Sequence, residues 1–204
     1  MHPWRDRLSR WLTPMAKRSP FSPNEITLGA LLLNVMACVA FLDGPRYPVA
    51  FLIALPLIAI AGFADALDGI VARLQQKESR FGDFLDHVCD RVSDTALAAC
   101  WMIGNRVREP IVVIAVILIM LNGYIGTQIE ATWRERNYES LGRGEFVLAL
   151  FVFPIVSFIL FSNGWSALRF GGATIAEWLS VLLIVFALLA IAQRFVLACR
   201  MERS

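Results

Sequence analysis

At 204 residues the chain could make one or two small soluble domains, but 57% hydrophobic residues, 18% charged residues and a mean hydropathy of +0.60 do not describe a water-facing surface. A net charge of only +2 argues against a nucleic-acid binder, and Cys38, Cys89, Cys100 and Cys199, isolated and without CxxC or Cys/His spacing, argue against a disulfide framework or a zinc site. Residues 26–42, 49–64, 110–129 and 146–168 carry no charge at all, and stretches of that length approach or reach a bilayer crossing, so the chain reads as an integral membrane protein.

In chain order, Trp4, Leu8, Trp11, Leu12 and Met15 recur at helical spacing while Arg5, Arg7 and Arg10 take other faces. That pattern predicts an amphipathic helix within residues 1–20 lying in the headgroup layer, with Pro14 placed to shorten it. A signal peptide is the competing reading, disfavoured by the long charged leader and the further spans that follow. Six membrane spans are then expected, at 24–42, 48–72, 83–104, 109–132, 145–165 and 172–198, in a single all-α domain covering residues 1–204 with its bundle at 24–198. The third and sixth are the least apolar. Span three opens with Asp83, Asp86, Asp90, Arg91 and Asp94, and span six holds Glu177 and Arg194, side chains that need a bundle interior, an interface or a wet cavity. Six spans put both termini on one side, and that side carries thirteen Lys and Arg residues against four opposite, which makes it cytoplasmic.

The segment 65–94 departs from this apolar background by placing several carboxylates at membrane depth. Asp65 and Asp68 at i and i+3 share one helix face, and Asp86 and Asp90 at i and i+4 share another, with a short loop at 74–82 to fold the two faces together. Oxygen donors converging from two antiparallel helices, with no His or Cys set nearby, suit hard cations such as Mg2+ or Mn2+. Gly69 and Ala72 leave room for a ligand to approach the backbone, and Arg73 offers a guanidinium fork for a phosphate. Interhelical salt bridges to Arg73, Arg80 and Arg91, or a permeation path for divalent cations in a transporter or channel, are the competing readings of the same carboxylates.

The spacing Asp65-x2-Asp68-Gly69-x2-Ala72-Arg73-x8-Gly82-x3-Asp86-x3-Asp90 resembles the full signature of the CDP-alcohol phosphotransferases, and the six-span layout behind a basic interfacial helix is also similar to that family. The resemblance implies transfer of a substituted phosphate from a CDP-linked lipid such as CDP-diacylglycerol to an alcohol, with release of CMP, by a homodimeric enzyme of phospholipid synthesis at the cytoplasmic face, in the plasma membrane if the source is prokaryotic. Carried over by position, Asp65, Asp68, Asp86 and Asp90 would face a pair of Mg2+ or Mn2+ ions, with Asp90 also the general base, while Gly69, Ala72, Arg73 and Gly82 would hold the CDP donor. Asn24 and Thr27, after Ser22 and Pro23, resemble the family's Pro-Asn-x-x-Thr start of span one, which the resemblance places near the nucleotide; simple helix initiation is the alternative.

For the acceptor the signals conflict. Leu85-Asp86-x3-Asp90-Arg91-x-Ser93-Asp94 is similar to members that use an inositol phosphate, whereas Asp86-His87-x-Cys89-Asp90 is similar to choline and ethanolamine phosphotransferases. The end of span four, from Tyr124 to Glu130, lacks the Lys and Arg expected to grip an acceptor phosphate. Arg134, Arg136 and Arg143 are the candidates for an anionic acceptor pocket, with contact to anionic headgroups as the competing reading.

Overall fold

Ser22 starts the first long helix by a reciprocal capping box: its hydroxyl accepts from the Glu25 backbone N–H while the Glu25 carboxylate accepts from the Ser22 N–H at 2.7 Å, and Pro23 occupies the first helical position, where no N–H is needed. The computed structural model describes residues 13–17, 19–133 and 143–202. Its long helices are α1 (Pro23–Asp43), α2 (Val49–Leu74), α3 (Arg80–Gly104), α4 (Glu109–Trp133), α5 (Arg143–Ser162) and α6 (Ile175–Met201). These bounds lie within a few residues of the expected spans.

Two differences have local causes. The α2–α3 connection is shorter than expected, because Ser79 caps α3 by accepting from the Gly82 N–H at 3.0 Å, and Gly82 becomes a helical residue instead of a loop residue. The sixth span is expected from residue 172, yet α6 begins at Ile175, because Arg169–Phe170 (β1) and Ala173–Thr174 (β2) pair as an antiparallel hairpin first. Gly171 and Gly172 take φ of +58° and +81° in its two-residue turn, a conformation that glycine adopts without penalty.

Five of the six helices (α1, α2, α4, α6 and, from Gly144, α5) are long and apolar enough to cross a membrane. Consistent with lipid as their solvent, Leu32, Val39, Ile117 and Leu148 are each more than half exposed. Helix α3 is equally long at 25 residues, but its first half is charged and it falls outside that set. Of the expected interfacial helix, residues 1–12 and 18 lie outside the described residues. Residues 13–17 are helical, and Ala16 is fully buried against Ile70 and Val71 near the end of α2.

Helix α1 packs on α2 and α3, α2 on α5, α3 on α4, and α4 on α6. The core contains Phe41, Phe51, Leu97, Trp101, Met102 and Phe153, with the Trp101 and Phe153 rings 5.1 Å apart and the Trp101 indole N–H bonded to Ser157 Oγ at 3.0 Å. Small residues at the contacts, including Ala37, Ala54 and Ala98, let helices approach closely where lipid offers no hydrophobic drive. The tightest approach is at Gly104, where a Cβ would fall 2.9 Å from the Phe41 carbonyl carbon. At the same end of the bundle, Glu177 is 2% exposed, completes the Thr174 capping box of α6, and receives Arg108 Nε at 2.6 Å, joining the starts of α4 and α6.

Gly104→Ala must push the end of α3 off the α1 backbone, since neither main chain can swing away as a side-chain tip would. The expected cost is about 1–3 kcal/mol, read as a lower midpoint of unfolding in detergent.

Candidate metal and nucleotide site

The beginning of α1, the end of α2 and the beginning of α3 meet at one end of the bundle. Asp65 and Asp68 lie one turn apart on α2 and face Asp86 on α3, so that one carboxylate oxygen from each lies within 4.8 Å of the other two. Asp68 is 7% exposed, and its two neighbours are half-buried. At an effective dielectric constant of 20, two unit negative charges at that separation repel by about 3 kcal/mol, a cost that a cation between them would offset. An all-carboxylate set fits a hard, oxygen-seeking divalent ion.

Helix α1 supports this group from the side. Thr27 is buried, and its hydroxyl donates to Asp68 Oδ2 at 2.6 Å while lying 3.1 Å from the Pro23 carbonyl. A hydroxyl has one proton, and the shorter, charge-assisted contact takes it. Thr27 therefore orients a carboxylate, a more specific task than the general nearness to nucleotide expected from the sequence. Asn24 lies at the same corner, its Oδ1 3.2 Å from where a Cβ on Gly82 would stand, so the absence of a side chain at Gly82 is what admits it. Gly69 and Ala72 are half-buried on α2, and exposed Arg73 lies back along that helix, its Nη1 3.9 Å from the Cβ position of Gly69.

Asp90 is placed one turn further along α3, outside the three-carboxylate group, with Oδ2 3.6 Å from Arg91 Nη2. Arg91 also reaches Asp94, at 3.9 Å. Salt bridging thus accounts for part of the charge on α3, whereas among the described residues Arg73 and Arg80 make no ion pair. Asp83 stands in the first turn of α3, 3.9 Å from His87, and Cys89 is buried.

Beside Arg91 an open cavity of about 100 Å3 is lined by Arg91, Asp94, Asn122 and Arg194 among the apolar side chains Ile119, Phe146, Leu183, Phe186 and Ala187. Arg194 of α6 donates to the Asn122 backbone carbonyl of α4. Neither Asn122 nor Arg194 belongs to a sequence motif that marks it as a site residue, although an arginine inside an apolar span is a signal that something polar must receive it. Arg134 and Arg136 lie outside the described residues, as does the side chain of Arg143, the residue that opens α5.

Residues 21–189 match the family model described as CDP-alcohol phosphatidyltransferase. The archaetidylinositol phosphate synthase of Pyrococcus horikoshii is 29% identical over 132 residues, covering 64% of this chain and 68% of that one. Other curated relatives are matched over about half of their own length. Two crystal structures of the phosphatidylinositol phosphate synthase of Mycobacterium tuberculosis, each 25% identical to this chain, share its fold. The one with CDP-DAG bound gives a TM-score of 0.60 over 93% of this chain and 94% of its own. The one with manganese and citrate gives 0.59 over 92% and 88%.

Thr27→Val keeps the shape at the α1–α2 contact and removes the donor to Asp68. Metal-supporting contacts of this kind are worth about 10–100-fold in affinity, so Mn2+ titration followed by electron paramagnetic resonance should show weakening in that range with the fold intact.

Proposed function

Because this chain belongs to the CDP-alcohol phosphatidyltransferase family, we propose that it transfers a phosphatidyl or equivalent lipid-phosphate group from a CDP-linked lipid to a polar alcohol in the membrane, releasing CMP. The observation that carries the reading is the meeting of Asp65, Asp68 and Asp86 within 4.8 Å at the end of a multi-pass membrane bundle, with Thr27 braced against Asp68. The relatives named as synthases of inositol-phosphate lipids favour an acceptor of that chemistry. A divalent-cation transporter or channel finds no support in these relatives and is set aside.

The three aspartates, with Asp90 at their edge, would hold two Mg2+ or Mn2+ ions, and bound there such ions neutralise pyrophosphate oxygens and stabilise CMP as a leaving group. Gly69 and Ala72 leave the α2 backbone open to the nucleotide, Arg73 supplies a fork for its phosphate, and Gly82 with Asn24 closes the opposite wall. The acceptor enters from the cavity beside Arg91, which Arg194 also lines; Arg134, Arg136 and Arg143 remain the sequence's further candidates for binding an anionic acceptor. Its hydroxyl oxygen forms a bond to the phosphorus that carries the lipid, the anhydride bond to CMP breaks, and the hydroxyl proton passes to Asp90. Asp90 suits that task because it stands one turn beyond Asp86 and beside Arg91, which lines the cavity.

Helix α3 is proposed as the sixth crossing: 25 residues span about 37 Å, enough for a hydrocarbon core, and its charged half lies at the site end, where it meets water. The thirteen-to-four distribution of Lys and Arg supports a cytoplasmic site end with both termini there, the first residues forming an interfacial helix in front of one six-span domain. A homodimer is what the family resemblance implies.

The test is CMP release from CDP-diacylglycerol by purified protein in detergent, with a panel of alcohols and no ion gradient. Turnover is expected only with a divalent cation, and excess EDTA or Asp65→Asn, Asp68→Asn or Asp86→Asn should abolish it. Substantial turnover in EDTA refutes the metal assignment.

Asp90→Asn should behave differently, because an amide keeps the shape and an oxygen but takes no proton at neutral pH. Turnover is expected to fall by about 100-fold or more while the CDP donor still binds in the presence of metal. Loss of donor and metal binding together with activity would make Asp90 chiefly a ligand.

A further inference from the structure

Gly123 and Gly126 sit one turn apart on α4, and the space above each is filled by an arginine from a different helix. A Cβ on Gly123 would lie 2.5 Å from Arg91 Cδ and 2.7 Å from its Nη1, and a Cβ on Gly126 would lie 2.9 Å from Arg194 Cζ and 3.2 Å from its Nη2. Glycine is a poor helix former, so two on one helix face need a reason, and here each makes way for a guanidinium group that could not otherwise lie against α4. Both arginines line the cavity beside Asp90. In the same place Arg91 Nε is a buried donor and Asn122 Oδ1 a buried acceptor, neither with a hydrogen-bond partner in the protein. Leaving such groups unsatisfied is costly, and together they ask for a ligand that accepts from a cation and also donates a hydroxyl.

We propose that Gly123 and Gly126 are specificity-determining residues: by lacking side chains they set Arg91 and Arg194 one helical turn apart across α4, a spacing that selects a phosphorylated polyol over its uncharged counterpart. This rests on the reading that the acceptor occupies this cavity. The glycines act through the arginines and touch no substrate themselves. An added methyl at either position meets an arginine side chain and not main chain, the guanidinium at Gly126 and the Cδ as well as the guanidinium at Gly123, so it is the arginine that must give way and leave its place in the cavity.

Gly123→Ala and Gly126→Ala are compared with the unaltered chain and with Gly62→Ala, a control whose added Cβ meets nothing within 4 Å. The first readout involves no turnover: thermal stabilisation of the Mn2+-loaded protein in detergent by inorganic phosphate. The unaltered chain and the control should be stabilised alike, and each α4 variant should need about tenfold more phosphate or worse, as expected for one lost charge-assisted contact. The second is CMP release from CDP-diacylglycerol with inositol phosphate or inositol as acceptor. For the phosphorylated acceptor KM should rise about tenfold in the α4 variants while KM for the donor stays within about twofold, and the unphosphorylated acceptor should be used poorly by every form. The proposal is overturned if phosphate does not stabilise the unaltered chain, if the variants keep its phosphate affinity, or if donor and acceptor KM rise together, which would signify a shifted helix. Phosphate binding that follows the expected pattern without CMP release from any acceptor would uphold the cleft and refute the proposed activity. Normal CMP release that is insensitive to both substitutions would do the reverse.

Discussion

Three carboxylates held within 4.8 Å of one another at the end of an apolar bundle are the constraint to which the surrounding structure answers. Their mutual repulsion is a cost that a cation would relieve, and burial of Asp68 adds a desolvation cost to that repulsion. The bundle meets both demands locally. Thr27 satisfies one oxygen of Asp68, and the charged half of α3 is kept at the end of the helix instead of at its middle, so that among the described residues Asp68 and Glu177 are the buried carboxylates. Helix α1 is thus part of the site, although it contributes no carboxylate to it.

The register that brings α2 and α3 together at the site is secured at the far end of the bundle. Gly104 lets the end of α3 lie directly on the α1 backbone, and the rings of Phe41, Phe51 and Phe161 stack through the α1–α2–α5 contact. The Arg108–Glu177 pair fixes the starts of α4 and α6, two helices whose other ends carry Gly126 and Arg194. Close packing makes this transmission possible, because helices that touch through alanine and glycine have little freedom to slide. The site end is then free to hold polar groups whose own contacts would not keep the helices in place.

Much of this architecture is legible in the amino-acid sequence. Charge-free runs of bilayer length mark four of the six helices, since apolar length is a property of the segment alone. The carboxylate spacing pairs Asp65 with Asp68 and Asp86 with Asp90, because i, i+3 and i, i+4 positions share a face in any α-helix, and three of those four meet in the structure. The hairpin ahead of α6 escapes such a reading even though Gly171-Gly172 is a turn signal, because the apolar pattern runs on through residues 173–176 and outweighs it.

What the sequence determined by itself was therefore local and periodic: an all-helical membrane chain, the lengths of its helices, and a carboxylate-bearing face on each of two of them. Tertiary structure alone decided what crosses between helices. That Thr27 bonds Asp68 on another helix, that Asp90 stands outside the trio although its spacing pairs it with Asp86, and that Gly123 and Gly126 receive Arg91 and Arg194 all depend on the rotation and depth at which helices pack. The period of a helix says which residues share a face, but the partner that face meets is set by side-chain packing along its whole length, and no single segment carries that information.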